Sequence, residues 1–203
     1  MPKLFSYVVE HDQGHAPNPY FGVCTLCPCK YRKKRKGREN VVESATLGDW
    51  VIGTGGANPK KSAGHDKLIY AMRVDEKLTR QEYFLDRRFG KKKKRKSGAY
   101  EQQVGDNLRP KKPFEKHEQC VLISRHFYYF GKNAIRIPKN KFPRLEKTGP
   151  WFRSDFKPAY VARFLKWLAN ETGFKPGKHG DPCMKKVESY AGRKRSETCR
   201  SSC

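Results

Sequence analysis

Apolar residues fall along this chain in short runs set off by dense polar, glycine and proline segments, the punctuation of strands more than of long helices. Residues 4–9 (LFSYVV) alternate weakly and predict a first strand, closed by the polar turn Glu10-His11-Asp12-Gln13-Gly14. Trp50-Val51-Ile52 and residues 68–74 (LIYAMRV) bracket a loop rich in Gly, Asn, Pro, Lys and Ser, which predicts strand, loop, strand. In the second run Leu68, Tyr70, Met72 and Val74 share one face, and Ile69 and Ala71 precede Arg73 on the other. Both faces are apolar, so this strand is expected at the centre of its sheet. Residues 119–124 (QCVLIS) and 126–130 (HFYYF) predict one or two further core strands, ended by Gly131.

Two helices are expected. Thr79-Arg80-Gln81-Glu82 has the form of a capping box and starts a short helix carrying Tyr83 and Phe84, ending near Asp86 to Gly90. Further on, Tyr160, Val161, Phe164, Leu165 and Leu168 follow the 3, 4, 7, 8 spacing of an amphipathic helix, with Ser154-Asp155 at the cap ahead of Pro158 and Gly173 as its stop. Its apolar stripe is assigned to packing over the sheet rather than to a partner groove. The class is α+β, a curved mixed sheet with flanking helices and a C-terminal amphipathic helix.

Length and composition add one domain, residues 1–182, followed by a basic tail over 183–203. With 36% hydrophobic and 12% aromatic residues the chain has enough apolar surface to bury a core. Charge changes the picture more. Forty-five Lys and Arg face 20 Asp and Glu, a formal net charge of +25, which calls for a polyanionic partner: nucleic acid rather than an anionic membrane surface. The run containing Arg32, Lys33, Lys34, Arg35, Lys36 and Arg38 is read as a phosphate-contacting loop in preference to a solvated face. Lys91 to Lys96 opens an irregular stretch reaching Pro113. The N-terminus lacks a secretory pattern, no run reaches transmembrane length, and the seven cysteines are odd in number. Reduced thiols and a cytoplasmic location are expected, nuclear if the host is a eukaryote.

The chemical candidates are few. Cys24, Cys27 and Cys29 raise zinc, but a fourth ligand and a second Cys or His pair are missing, so no metal is expected. Cys29, beside Lys30 and the basic run, is either an activated thiolate or an inert thiol. His126 is either a strand residue with a satisfied ring or part of a pocket. Gly53-Thr54-Gly55-Gly56 lacks the Lys-Ser/Thr ending of a phosphate-binding loop and is read as letting a loop approach a ligand. No cofactor loop is present, and no cofactor is expected. Tyr20, Phe21, Trp50, Phe127, Tyr128, Tyr129 and Trp151 lie near Gly or Pro, which suits base stacking as well as core filling.

Taken in order, Ala16-Pro17-Asn18-Pro19 with Gly22, Cys24-Thr25-Leu26 with Cys29-Lys30, Gly48-Asp49-Trp50-Val51-Ile52-Gly53-Thr54-Gly55, residues 68–74, Gly105-Asp106-Asn107, and Ser124 with Phe127 to Gly131 resemble the second type of nucleotide-modification-associated domain. The resemblance runs over about residues 4–182. That family, of bacteria and their phages, is linked by context to DNA-base modification. The pair of strands around Gly53 also resembles, more distantly, PUA-like domains, which bind modified bases in a barrel cleft. A PUA-like β-barrel is therefore the alternative form of the sheet.

The resemblance implies a nucleic-acid-associated protein, with DNA ahead of RNA as its partner, that binds or processes a modified nucleotide. Asp49, Trp50, Thr54, Asn107, Tyr128 and Tyr129 would surround the base, and Lys30, Arg32, Lys33, Lys92 and Lys93 would hold phosphates. If the protein is instead a base-modifying transferase, Cys29 is its candidate nucleophile and Asp106 or His126 its general base. A structural, sequence-independent nucleic-acid binder is the third reading.

Overall fold

The computed structural model describes residues 1–27, 31–34, 37–92 and 120–184, leaving aside the side chains of 31–39. In chain order the described elements are β1 (Leu4–Val9), β2 (Cys24–Leu26), β3 (Tyr31–Lys34), β4 (Gly37–Asn40), α1 (Val41–Ser44), β5 (Trp50–Gly55), β6 (Lys67–Arg73), β7 (Glu76–Thr79), α2 (Arg80–Leu85), β8 (Cys120–Ser124), β9 (Phe127–Tyr129), β10 (Ile135–Arg136), β11 (Phe152–Arg153), α3 (Pro158–Lys166) and β12 (Gly177–Lys178). A 3-10 turn over Arg87–Lys92 follows α2.

The apolar runs on either side of the Gly53 loop become β5 and β6, antiparallel neighbours at the centre of a mixed seven-stranded sheet ordered β11-β1-β5-β6-β9-β12, with β10 also on β6. From Leu68 to Met72, β6 is wholly buried, as a strand with two apolar faces must be. β1 runs parallel to β5, and β9 parallel to β12. Since β6 is antiparallel to both β5 and β9, the strands β1, β5, β9 and β12 all end at the same edge. The sheet is open, with β11 and β12 at its two sides. The barrel alternative is thereby corrected: two-residue strands at both sides make no closing pair.

Each face of the sheet has its own cover. On one, Leu4, Trp50, Ile52, Ala71, Tyr128 and Phe130 pack under Val161, Phe164, Trp167 and Leu168 of one 14-residue C-terminal helix, α3 with its π-turn extension Trp167–Glu171. The expected stripe is core packing. Its start differs from expectation, because Lys157 holds the N-cap position without a side-chain bond, and Pro158 opens the helix through its preset φ. On the other face, Phe5, Tyr7, Val51, Tyr70, Met72 and Tyr129 meet Cys24, Leu26 and Leu122 of a second sheet, β2-β8-β7. Behind that second sheet, Val121 and Ile123 pack against Tyr83 and Phe89. The capping box at Thr79 and Glu82 forms as expected, at 3.1 and 2.8 Å.

Two local readings change. The runs at 119–124 and 126–130 are strands, but of different sheets, the chain turning the corner at Arg125 and His126. Of the basic run at 32–38, expected as a loop, residues 32–34 and 37–38 lie in the antiparallel pair β3-β4. With Tyr31 as the one large apolar residue in its sequence, that pair leaves no periodic signature.

Candidate functional site

Both ends of the seven-stranded sheet carry chemistry. At the end where β6 finishes and β9 begins, three expected residues meet. The His126 ring lies 5.5 Å from Trp50, edge-on, and 5.9 Å from Tyr128. Burial, then the Arg73 charge, hold the imidazole below its ordinary pKa against an opposing pull from Asp75. The carboxylate of Asp75 accepts from Arg125 N at 2.6 Å, Arg73 Nε at 2.7 Å and His126 N at 3.1 Å. Trp50 is 7% exposed and Tyr128 is 2% exposed, so both rings belong to the core and offer almost no face to a base.

At the opposite end, where β1, β5, β9 and β12 finish, the polar turn after β1 folds inward. Asp12 is 1% exposed. Its carboxylate accepts from the Tyr129 hydroxyl at 2.6 Å and from the Cys183 amide at 3.1 Å. Desolvation outweighs these bonds and raises the pKa of Asp12. The same burial, with the nearby Asp12 charge, drives the Tyr129 phenol far above its ordinary range and the Cys183 thiol up to about 12. That shift disfavours the Cys183 thiolate, the form a nucleophile needs.

Tyr20 links this group to the surface. It is half-buried, its hydroxyl is pushed up to about 12 by desolvation and then by Asp181 and Asp12, and its ring lies 6.5 Å from the exposed ring of Phe21. Lys178 Nζ sits 5.3 Å from the Tyr20 ring centre, and Lys91 Nζ 5.9 Å from that of Phe21. The result is an aromatic pair flanked by two cations, with the buried Asp12 carboxyl among the charges that act on Tyr20.

The chain matches nucleotide modification associated domain 2 over residues 1–120 and 111–189. It belongs to that family. Comparison with curated proteins and with solved structures gives no match. The family places this nucleotide modification associated domain in the setting of nucleotide-modification systems, and hence of nucleic acid.

The other expected site residues of the domain are dispersed. Asp49 is a turn residue, accepting from Lys3 N at 2.8 Å and from Thr46 N and Oγ1 at 2.9 Å. Thr54 is fully buried, its hydroxyl 3.3 Å from the Tyr7 carbonyl. Tyr129 lies between the two sheets, on the opposite face from Tyr128. Lys92, expected on a phosphate, is 1% exposed and donates to Asn18 O at 2.9 Å and Asn18 Oδ1 at 2.8 Å, which corrects that assignment: its ammonium points inward. Cys29, Lys30, Lys93, Asp106 and Asn107 lie outside the described residues, as do the side chains of Arg32 and Lys33.

Gly53 and Gly55 also have an internal reason. A Cβ on Gly53 would sit 2.3 Å from Tyr70 Cε1, and one on Gly55 1.8 Å from the Gly64 carbonyl oxygen. They let the loop close on the protein itself, where Gly56 N donates to Ser62 Oγ at 2.8 Å. Among the described residues no three His, Cys, Asp or Glu side chains form a metal-binding group, and no helix is long and apolar enough to cross a membrane.

Proposed function

We propose that this chain is a nucleic-acid-associated protein of a DNA-base modification system that holds a nucleotide at the Tyr20–Phe21 pair and handles a proton through Asp12 and Tyr129. The observation that carries this is the buried Asp12 carboxyl, hydrogen-bonded to a phenol and raised in pKa, whose charge acts on Tyr20 of an aromatic pair with two lysines beside it. A carboxyl of raised pKa exchanges protons closer to neutral pH than an ordinary aspartate does, which is what a general acid or base needs. Tyr20 and Phe21 supply ring faces for a base, Lys91 the positive charge for its phosphates, and Lys178, held by Asp181 at 2.7 Å, a second cation beside Tyr20.

The test is the nucleoside composition of host or phage DNA, read by mass spectrometry with this gene deleted and then restored as wild type or as Asp12→Asn. A modified nucleoside lost on deletion, regained with wild type and not with Asp12→Asn, is expected. An unchanged composition on deletion overturns a role in modification.

The charge of +25 favours a second reading, a sequence-independent structural binder. Equal affinity for plain and modified DNA, with a steep loss in salt, would select it. Stronger binding to modified DNA would select a reader of the modification.

A further inference from the structure

Away from both sheet ends, the start of α3 and the segments before it enclose a groove of about 370 Å³, within the range of small-ligand sites. Arg144, Arg153, Lys157 and Arg163 line it, with Asp155 as its one acidic residue. Asp155 holds Arg144 at 2.8 Å and lies 3.7 Å from Arg153. Among the described residues, no carboxylate pairs with Lys157 or Arg163. The Arg163 guanidinium instead lies 5.4 Å from the centre of the Tyr160 ring and 5.9 Å from that of Phe142, with its fork of donors left for another acceptor. Phe156 stacks on Tyr160 at 5.1 Å and 22°, and the Tyr160 hydroxyl fixes the pair by donating to the Pro143 carbonyl at 2.9 Å.

An uncommitted guanidinium and an uncommitted ammonium beside a fixed, partly exposed aromatic pair match the two repeating features of a nucleic-acid strand, phosphate and base. A second depression of about 350 Å³ adjoins this one and shares Pro143 and Arg144 with it. Two neighbouring hollows with a common arginine suit consecutive nucleotides of a strand better than one free nucleotide.

Resting on the nucleic-acid reading above, we infer that this groove binds single-stranded nucleic acid, with a phosphate on Arg163 and Lys157 and a base against Phe156 and Tyr160. Duplex DNA cannot put a stacked base into such a groove, so single strands are selected here.

The test uses the full chain and a fluorescent oligothymidylate of about 12 nucleotides, followed by anisotropy, with a duplex of equal length and free thymidine monophosphate as parallel probes. Losing that phosphate contact should weaken oligothymidylate binding about tenfold near physiological salt and lower its salt slope by about 0.7. Lys157→Ala/Arg163→Ala is therefore expected to show that loss with duplex binding unchanged. Phe156→Ala should weaken the single strand with no change in salt slope, which separates stacking from charge. Lys166→Ala, an exposed lysine of the same helix outside the groove, should leave both affinities alone. Wild-type affinity of the double variant for oligothymidylate would overturn the groove assignment while leaving the nucleic-acid reading intact. Binding of the monophosphate as tightly as the oligonucleotide would overturn the strand. No binding of any probe by wild type would overturn both readings together.

Discussion

Asp12 and Asp75 stand at opposite ends of one sheet and have been given opposite chemistry. Burial pushes both carboxyls upward. At Asp75 the amides of Arg125 and His126 and the side chain and charge of Arg73 outweigh it, holding the group below the usual carboxylate range. At Asp12 the partners are a phenol, a thiol and main-chain N–H groups, too weak together to compensate, and the pKa ends above its ordinary value. The difference lies in what the surroundings can donate, since the residue type is the same. Asp75 is a fixed anion that ties β9 to the end of β6. Asp12, its pKa raised, gives up its proton closer to neutral pH than Asp75 does, which is what the proposed proton transfer asks of it.

The largest effect should separate these roles directly. Asp12→Asn and Tyr129→Phe are expected to lower formation of the modified nucleoside by about 10²- to 10⁴-fold, the range of a lost general acid or base, while unfolding stays cooperative. His126→Gln should leave the product nearly unchanged. Loss of product on His126→Gln, with Asp12→Asn silent, would exchange the two ends. Trp50→Ala comes next and is a test of folding: removing this buried ring from beneath α3 should cost about 3–5 kcal/mol, measured by urea unfolding. A smaller cost, with weakened nucleotide binding, would restore Trp50 to a base pocket. Lys92→Met follows. Taking away a charged donor that bonds both oxygens of Asn18 should cost about 1.5–3 kcal/mol and leave the salt dependence of DNA binding where it was. A shallower salt slope would return Lys92 to the phosphates.

Much of the architecture was legible because it is written in local patterns. The apolar runs marked β1, β5, β6, β8 and β9, the capping box marked α2, and the 3, 4, 7, 8 spacing marked α3. Openness of the sheet was not legible, since β11 and β12 are two-residue strands whose pairing depends on partners far along the chain. The site was harder for the same reason. Asp12 lies in a turn any reader would take as solvated, and becomes buried through Tyr129, 117 positions away, and Cys183, 171 positions away. The one local hint was the company of Tyr20 and Phe21 in the proline-rich loop that follows. Lys92 misled because it begins as part of a lysine run, while its neighbour Phe89 enters the core and carries the turn inward.

The smallest expected effect gives the sharpest form of the comparison, because the two carboxyls should act on stability with opposite signs. Asp75 is depressed, so the folded protein gives up its proton more readily than the unfolded chain. Its contribution is complete above the unfolded value near about 4 and is lost as pH falls through the folded value. Asp12 is raised, so between about 4 and its folded value the native state holds the extra proton, and stability falls as pH rises through that window. His126 overlaps the same window with the other sign: its lowered pKa makes stability fall as pH drops below about 6.5. The Asp12 slope should therefore be read in a His126→Gln background. There, urea midpoints should decline as pH rises above about 4, and Asp12→Asn should flatten that decline, whereas Asp75→Asn should remove only its own share of the rise below about pH 4. A decline that survives Asp12→Asn would mean that Asp12 is an ordinary anion in the folded state, and the distinction between the two ends would be lost.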